Sequence, residues 1–338
     1  MIKRAILGVV AASGVAAGTA SADVLDDIIA RDELICGVNP GLAGFASPDA
    51  NGNWTGFDVA FCKAVAAAVL KDPSKVRFVP ADLENRFEML AKGEVDLLAR
   101  NSTWTFSRDV DQKFEFAGVN YYDGQGFMVR KELGVTSVKE LDSVAICVQR
   151  GSTSAQNLED YFRVNGMTLK QVDVASDAEG EQSYTSGKCD AYTTDASGLA
   201  ATRAAFADPE NHIVLPEIIS KEPLGPVVRQ QDSHWADVVR WTLYALIAAE
   251  EYGVTSKNID ELIKASTNPE VQRLLGVNGD LGEKLGLDNE WAKRAIQARG
   301  NYGEIFAANI GEQTPIGLAR GLNAQWTQGG LMYTPPFR

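Results

Sequence analysis

RFEMLAKGEVDLLARNSTWTFSRD, residues 86–109, is the stretch whose reading decides the fold. Phe87, Leu90 and Ala91 recur at helical spacing, so 86–93 reads as the end of a helix entered from Asp82, with Gly93 as its C-cap. Residues 95–99, VDLLA, are a short apolar run bounded by turn residues, as in a core strand of an α/β sheet. A polar run follows at the strand's carboxyl end: Arg100, Asn101, Ser102, Thr103, Thr105, Ser107 and Arg108. Open α/β sheets bind ligands at that end. An Arg there can grip a carboxylate with two parallel hydrogen bonds, and hydroxyls and free backbone groups can complete a shell around a small zwitterion. The alternative is a solvated loop in which Arg108 pairs with Asp109 or Asp111.

Composition narrows the class. The chain has 338 residues, enough for two domains, and 45% apolar content, typical of globular proteins. Residues 1–22 read as a cleaved signal peptide. Lys3 and Arg4 open it, an apolar stretch follows, and Ala20-Ser21-Ala22 is the cleavage site. The run is too short for a membrane anchor. The formal charge is −13, and −15 once Lys3 and Arg4 leave with the leader. That charge argues against nucleic acid as a partner. The four cysteines, exported to an oxidising compartment, suggest disulfides with three possible pairings. Cys36–Cys62 and Cys147–Cys189 are favoured because each pair falls within one expected domain; four buried thiols are the alternative. Zinc is not expected, since there is no CxxC and the only histidines are His212 and His234.

Along the chain, a helix is expected over 23–31 and a first strand over 33–38, running into a turn-rich 39–45. A helix over 58–70, capped by Asp58, and a strand over 76–80 follow. Residues 121–129 carry Gly124 and Gly126 inside a strand-like run and read as a crossing between domains. Strand 144–149 then opens a second domain, with the turn Arg150-Gly151-Ser152-Thr153 leading into helix 154–165. Strand 169–174, helix 178–187, strand 189–195 and helix 197–207 complete it, and 221–228 reads as the return crossing. The amphipathic helix 235–251 should pack on the first domain, and further helices are expected over 259–264, 269–275, 289–298 and 301–309. From about Asn278 onward the sequence suggests no role. The halves repeat one scheme: strand, polar turn, helix, strand, helix, strand with a polar end.

These pieces together resemble a known family. NWTGFDVAFCKAVAAAV (53–69), RNSTWTFSRD (100–109), YYDGQGFMV (121–129), YTTDASG (192–198) and LPEIISKEPLGP (215–226) are similar to the polar-amino-acid periplasmic binding proteins of ABC importers. With the long carboxyl tail they look like one branch of that family, the general L-amino-acid-binding component of a bacterial importer. The resemblance implies a two-lobed periplasmic-binding-protein-like type II α/β fold. Each lobe would be a mixed sheet flanked by helices, and two hinge crossings would join them. Lobe 1 would be 23–124 plus 223–338, and lobe 2 would be 125–222. It implies a monomer in the periplasm that binds free L-amino acids and delivers them to membrane permease subunits, without chemistry or cofactor. Arg108 would hold the ligand's α-carboxylate, and Thr103, with Ser102 beside it, would touch both ends of the zwitterion. The backbone carbonyl of Asn101 would accept from the α-ammonium. Thr153, following Ser152, would offer a backbone N–H to the carboxylate, and Asp195 would pair with the ammonium.

Those roles make physical sense, because unpaired burial of the zwitterion's charges is costly. Simpler roles stand beside them: Ser152 and Thr153 as helix caps, Asp195 as the cap of the next helix, Trp54 and Trp104 as packing. Narrow-specificity relatives hold the ligand side chain between aromatic rings, at positions that are Leu42 and Leu83 here. Asn39 stands where basic-amino-acid binders carry an acid. A firm grip on the ligand backbone and a loose one on its side chain imply broad specificity. Arg100, Gln149 and Thr194 would face that side chain, Arg100 favouring acidic ligands. The rival is a periplasmic dehydratase on the same fold, with Glu181, Asp123 or Glu222 as acid or base.

Overall fold

The computed structural model describes residues 23–338, so the expected signal peptide at 1–22 lies outside the described residues. Two five-stranded sheets organise the chain. In the first, Leu34–Val38 is buried throughout and lies parallel to Val76–Pro80 on one side and Leu97–Ala99 on the other. Val227–Arg229 returns antiparallel beside Leu97–Ala99, and Phe114–Phe116 closes that edge. In the second, Ala145–Gln149 lies parallel to Lys170–Val174 and Ala191–Asp195. Gln125–Arg130 runs antiparallel between Ala191–Asp195 and His212–Val214. Both sheets thus share one order: second strand, first, third, a strand arriving from the other lobe, then an edge. This is the type II periplasmic-binding-protein fold. The parallel strands end at Asn39, Arg100, Gln149 and Asp195, which line one cavity between the sheets, as ligand positions in open α/β sheets do.

The crossings Tyr121–Asp123 and Glu222–Leu224 pair antiparallel, with Asp123 opposite Glu222. The polar run after Leu97–Ala99 is laced to the second crossing: Trp104 N–H donates to the Pro223 carbonyl (2.8 Å), and Gly225 N–H donates to that of Ser102 (3.1 Å).

Helix Phe57–Leu70 explains the first lobe. Every residue but Lys63 is buried, as expected of a helix apolar all round that sits at the centre of a core. The helices Ser233–Glu251, Trp291–Arg299 and Tyr302–Asn309 pack against it, so the carboxyl-terminal region is part of this lobe's core. Cys36–Cys62 bonds the helix to strand Leu34–Val38, and Cys147–Cys189 bonds Ala145–Gln149 to the entry of Ala191–Asp195. Both are the pairings favoured from the sequence.

Several local expectations are corrected. The helix expected over 82–93 is Arg86–Ala91, followed by Gly93 in the left-handed region at φ 73°. The strand expected over 95–99 is Leu97–Ala99, because the Asp96 carboxylate takes the Ile35 N–H (2.8 Å) and occupies the position of one rung. Asp58 does not cap its helix. Gly56 holds the N-cap position at φ 131°, where a Cβ would meet the Phe45 carbonyl oxygen at 2.2 Å. The Asp58 N–H donates to that same carbonyl, and its buried carboxylate accepts from Asn120 Nδ2 (3.3 Å). Ser107–Asp111, read as loop, forms a π-helical turn, a feature that recurs at functional sites.

Candidate functional site

Arg108 sits in that π-helical turn and is 8% exposed. Its Nη1 donates to the Thr103 carbonyl (2.7 Å), and its guanidinium lies over the Phe87 ring at 5.2 Å. This fixes the side chain toward the cavity and answers the surface alternative, since neither Asp109 nor Asp111 is its partner. Asn101 and Thr103 line the same cavity. Asn101 takes φ 42°, and its side-chain oxygen has no partner. Ser102 is not among the lining residues. It is fully buried, and its hydroxyl donates to the Arg100 carbonyl (3.2 Å), so its part is to shape the loop.

From the second lobe come Gln149, Ser152, Thr153, Thr194 and Asp195. Ser152 caps the helix Thr153–Val164: its hydroxyl accepts from Ala155 N–H (3.0 Å) and donates to the Gln149 carbonyl (2.6 Å). The helix amino terminus therefore faces the cavity beside Thr153, a favourable place for an anion. Asp195 stands at the N-cap position of Ala196–Ala205 yet makes no capping hydrogen bond. Asp123 serves that terminus instead, accepting from the Ser197 hydroxyl and N–H. Asp195 is left to the cavity. Its pKa is pushed well above the usual carboxylate range by burial and by Asp123, Glu222 and Asp177, against the opposing pull of Arg108. A cation would relieve that crowding.

At the far end lie Asn39, Leu42, Leu83 and Arg100. The Asn39 side-chain oxygen accepts from Gly41 and Leu42 N–H (3.0 and 3.1 Å), while its Nδ2 has no partner. Arg100 Nε donates to the Ala81 carbonyl (2.8 Å). Neither tryptophan lines the cavity. Trp104 stacks on Phe116 with centroids 5.4 Å apart, and Trp54 packs on Phe78.

Residues 34–258 match the family of bacterial extracellular solute-binding proteins, family 3. The chain belongs to this family. It is 63% identical over 338 residues to the glutamate/glutamine/aspartate/asparagine-binding protein BztA of Rhodobacter capsulatus, covering 100% of both chains. It is 54% identical over 326 residues to the general L-amino acid-binding periplasmic protein AapJ of Rhizobium johnstonii, covering 96% of this chain and 95% of that one. An ABC transporter periplasmic binding protein from Brucella ovis, solved with glutathione bound, superposes with a TM-score of 0.92 at 53% identity, covering 94% of this chain and 100% of that one.

As a solute-binding protein the chain has cavity residues that the sequence did not reveal. Arg86 is 2% exposed and lines the cavity, with Nε and Nη1 unpartnered. Burial, and the neighbouring Arg100 and Arg108, push its pKa well down. Three buried guanidiniums in one cavity favour an anionic guest. The available signal was helical spacing: Arg86 shares the buried face with Leu90. Asp177 also lines the cavity, at the start of Asp177–Thr185. Among the described residues no cluster of His, Cys, Asp and Glu has metal-binding geometry, and no helix is long and apolar enough to cross a membrane.

Proposed function

We propose that this chain captures free L-amino acids outside the cytoplasm with broad specificity and delivers them to the permease of an ABC importer. It does so as a monomer of two lobes, 23–124 plus 223–338 and 125–222, without chemistry of its own. The observation that carries the reading is the convergence of Arg108 from one lobe and Asp195 from the other on a single cavity that Thr103 and Thr153 also line. Arg108 and the Thr153 helix terminus answer the α-carboxylate, and Asp195 answers the α-ammonium. The names of the Rhodobacter and Rhizobium relatives agree with such a ligand.

Arg86 and Arg100 extend the reading to the ligand side chain. Glutamate and aspartate meet a positive field there, and glutamine and asparagine can accept from the same donors. Leu42 and Leu83 in place of an aromatic slot leave room for other side chains. Glutathione, bound in the Brucella ovis protein, ends in a γ-glutamyl group with the same α-carboxylate and α-ammonium. Asp123, Glu181 and Glu222 are each engaged by protein donors, which supports binding without turnover.

Calorimetry of the mature chain against L-glutamate, L-aspartate, L-glutamine, L-histidine and L-leucine is the test. Binding of all five is expected, with glutamate among the tightest and no product formed. Arg108→Ala should weaken each by roughly a hundredfold, because a charge-assisted bidentate contact is lost from a buried site. Arg86→Met should weaken glutamate and aspartate more than leucine. A preference above a hundredfold for one amino acid would refute broad specificity, and an Arg108→Ala protein with unchanged affinities would refute the site.

A further inference from the structure

Glu222 opens the second crossing and is 1% exposed. Its Oε2 accepts from Thr103 Oγ1 at 2.6 Å and from Thr153 Oγ1 at 3.1 Å. Its Oε1 accepts from Asn157 Nδ2 at 2.7 Å and from Ser220 Oγ at 2.7 Å. One buried carboxylate therefore gathers a hydroxyl from each side of the cleft and fills its acceptor sites with protein donors. The sites by which it would reach a guest directly are taken by the protein. The same arrangement gives it another part.

A threonine hydroxyl has one proton and two lone pairs. Thr103 and Thr153 both line the cavity and direct that proton to Glu222, so toward a guest each hydroxyl is left only to accept. An α-ammonium, with three donors and no acceptor, is suited to such a surface. A 2-oxo group, which can only accept, is not. The charge setting has the same sense. Asp123 lies directly opposite Glu222 across the crossing strands, and Asp195 lines the cavity close by. Like charges in such a pair are unfavourable unless a cation joins them.

We propose that Glu222 is a positioning residue which, by holding the hydroxyl protons of Thr103 and Thr153, makes these two cavity-lining hydroxyls accept-only and so selects a ligand with a cationic nitrogen at its α-carbon. The inference rests on the amino-acid-binding reading above and adds a mechanism for rejecting keto acids of the same shape. Specificity of this kind comes from a mismatch imposed on the wrong ligand as much as from contacts with the right one.

The test is the ratio of affinities for L-glutamate and 2-oxoglutarate, measured by calorimetry at one pH and ionic strength. In Glu222→Gln, L-glutamate should weaken roughly tenfold or more while 2-oxoglutarate holds or tightens, because the carboxamide removes the negative charge that draws both hydroxyl protons away from the cleft. A merely structural role lowers both affinities together and leaves the ratio unchanged, which would overturn the proposal. Thr153→Val and Thr103→Val keep Glu222 and delete one presented oxygen each. They should shift the ratio in the same direction, and they decide the matter if Glu222→Gln does not fold. If neither moves the ratio, the proposal fails. If the wild-type chain binds no amino acid at all, the reading beneath it fails first.

Discussion

Arg108 and Asp58 show how differently two buried ionisable groups are handled beside the polar loop 100–108. The Arg108 guanidinium has one backbone partner and an aromatic face, and the residue lines the cavity. Asp58 faces the protein. It accepts from Asn120, and the Asn101 backbone also favours its ionised form, so it is tied to the loop that carries Asn101. Burial is the largest influence on it and raises its pKa from 3.8 to about 7. The sign follows directly. The folded chain keeps this proton over a pH interval in which the unfolded chain has released it, so the stabilisation is fully present below pH 3.8 and is lost as pH rises to about 7. Asp58→Asn keeps the shape and an acceptor for Asn101 but has no proton to lose. Melting temperatures of the two proteins should therefore diverge between pH 4 and pH 7, the variant becoming relatively more stable as pH rises. Asp123, Asp96 and Glu181 are also pushed up by burial, but they are common to both proteins and cancel in the difference. Parallel curves would show that Asp58 is not held in this way.

Among the elements, those that the sequence revealed are the ones whose cause is local. Strand Leu34–Val38, helix Phe57–Leu70 and the Ser152-capped helix each announce themselves by apolar spacing or a cap residue. The loop carrying Arg100, Asn101, Thr103 and Arg108 was legible because polar residues cluster at a strand's carboxyl end. What escaped depends on distant partners. Asp58 looks like a cap until Asn120 and Asn101 are placed beside it. Arg86 looks solvated until Arg100 and Arg108 share its cavity. Ser102, one step from two lining residues, points the other way. The carboxyl-terminal tail is the clearest case. Asn323, 3% exposed, accepts from Tyr122 N–H (2.7 Å) and donates to the Tyr122 carbonyl (3.1 Å) across 201 residues of sequence. It acts as one more rung on the first crossing strand. Tyr302 Oη donates to the Asn120 carbonyl just before that strand (2.9 Å), and Arg320 pairs with Glu250 while bonding the Asn323 carbonyl. Asn323→Ala should cost about 2 kcal/mol, since two backbone groups lose a matched partner. Asn323→Asp should do no better, because it replaces the donor with a second acceptor facing a carbonyl. Urea denaturation checks both: the midpoint should fall at an unchanged slope. A wild-type midpoint in either variant would mean that the tail does not brace the crossing.

At the scale of the whole molecule, the question is what holds the two lobes together over the cavity. One ion pair spans the cleft mouth: Arg150, after the second sheet's Ala145–Gln149, donates through Nε (3.0 Å) and Nη2 (2.9 Å) to Glu84 of the first lobe. Both side chains are more than half exposed, at 59% and 58%, and pairs so exposed contribute about 0–1 kcal/mol. The pair is a weak latch. A ligand that touches Arg108 and Asp195 at once has contacts in the closed form that no open form can offer, and such a difference in affinity is what shifts a hinge equilibrium. Closure should therefore be driven by the ligand and not by the rim. Glu84→Gln should change the affinity for L-glutamate by less than about fivefold and make it less sensitive to added salt. The fall in radius of gyration on saturation, measured by small-angle X-ray scattering, should be the same in variant and wild type. If Glu84→Gln instead abolished the fall, the lobes would be held by the ion pair at the mouth, and the clasp on the ligand's two poles would follow from closure without causing it.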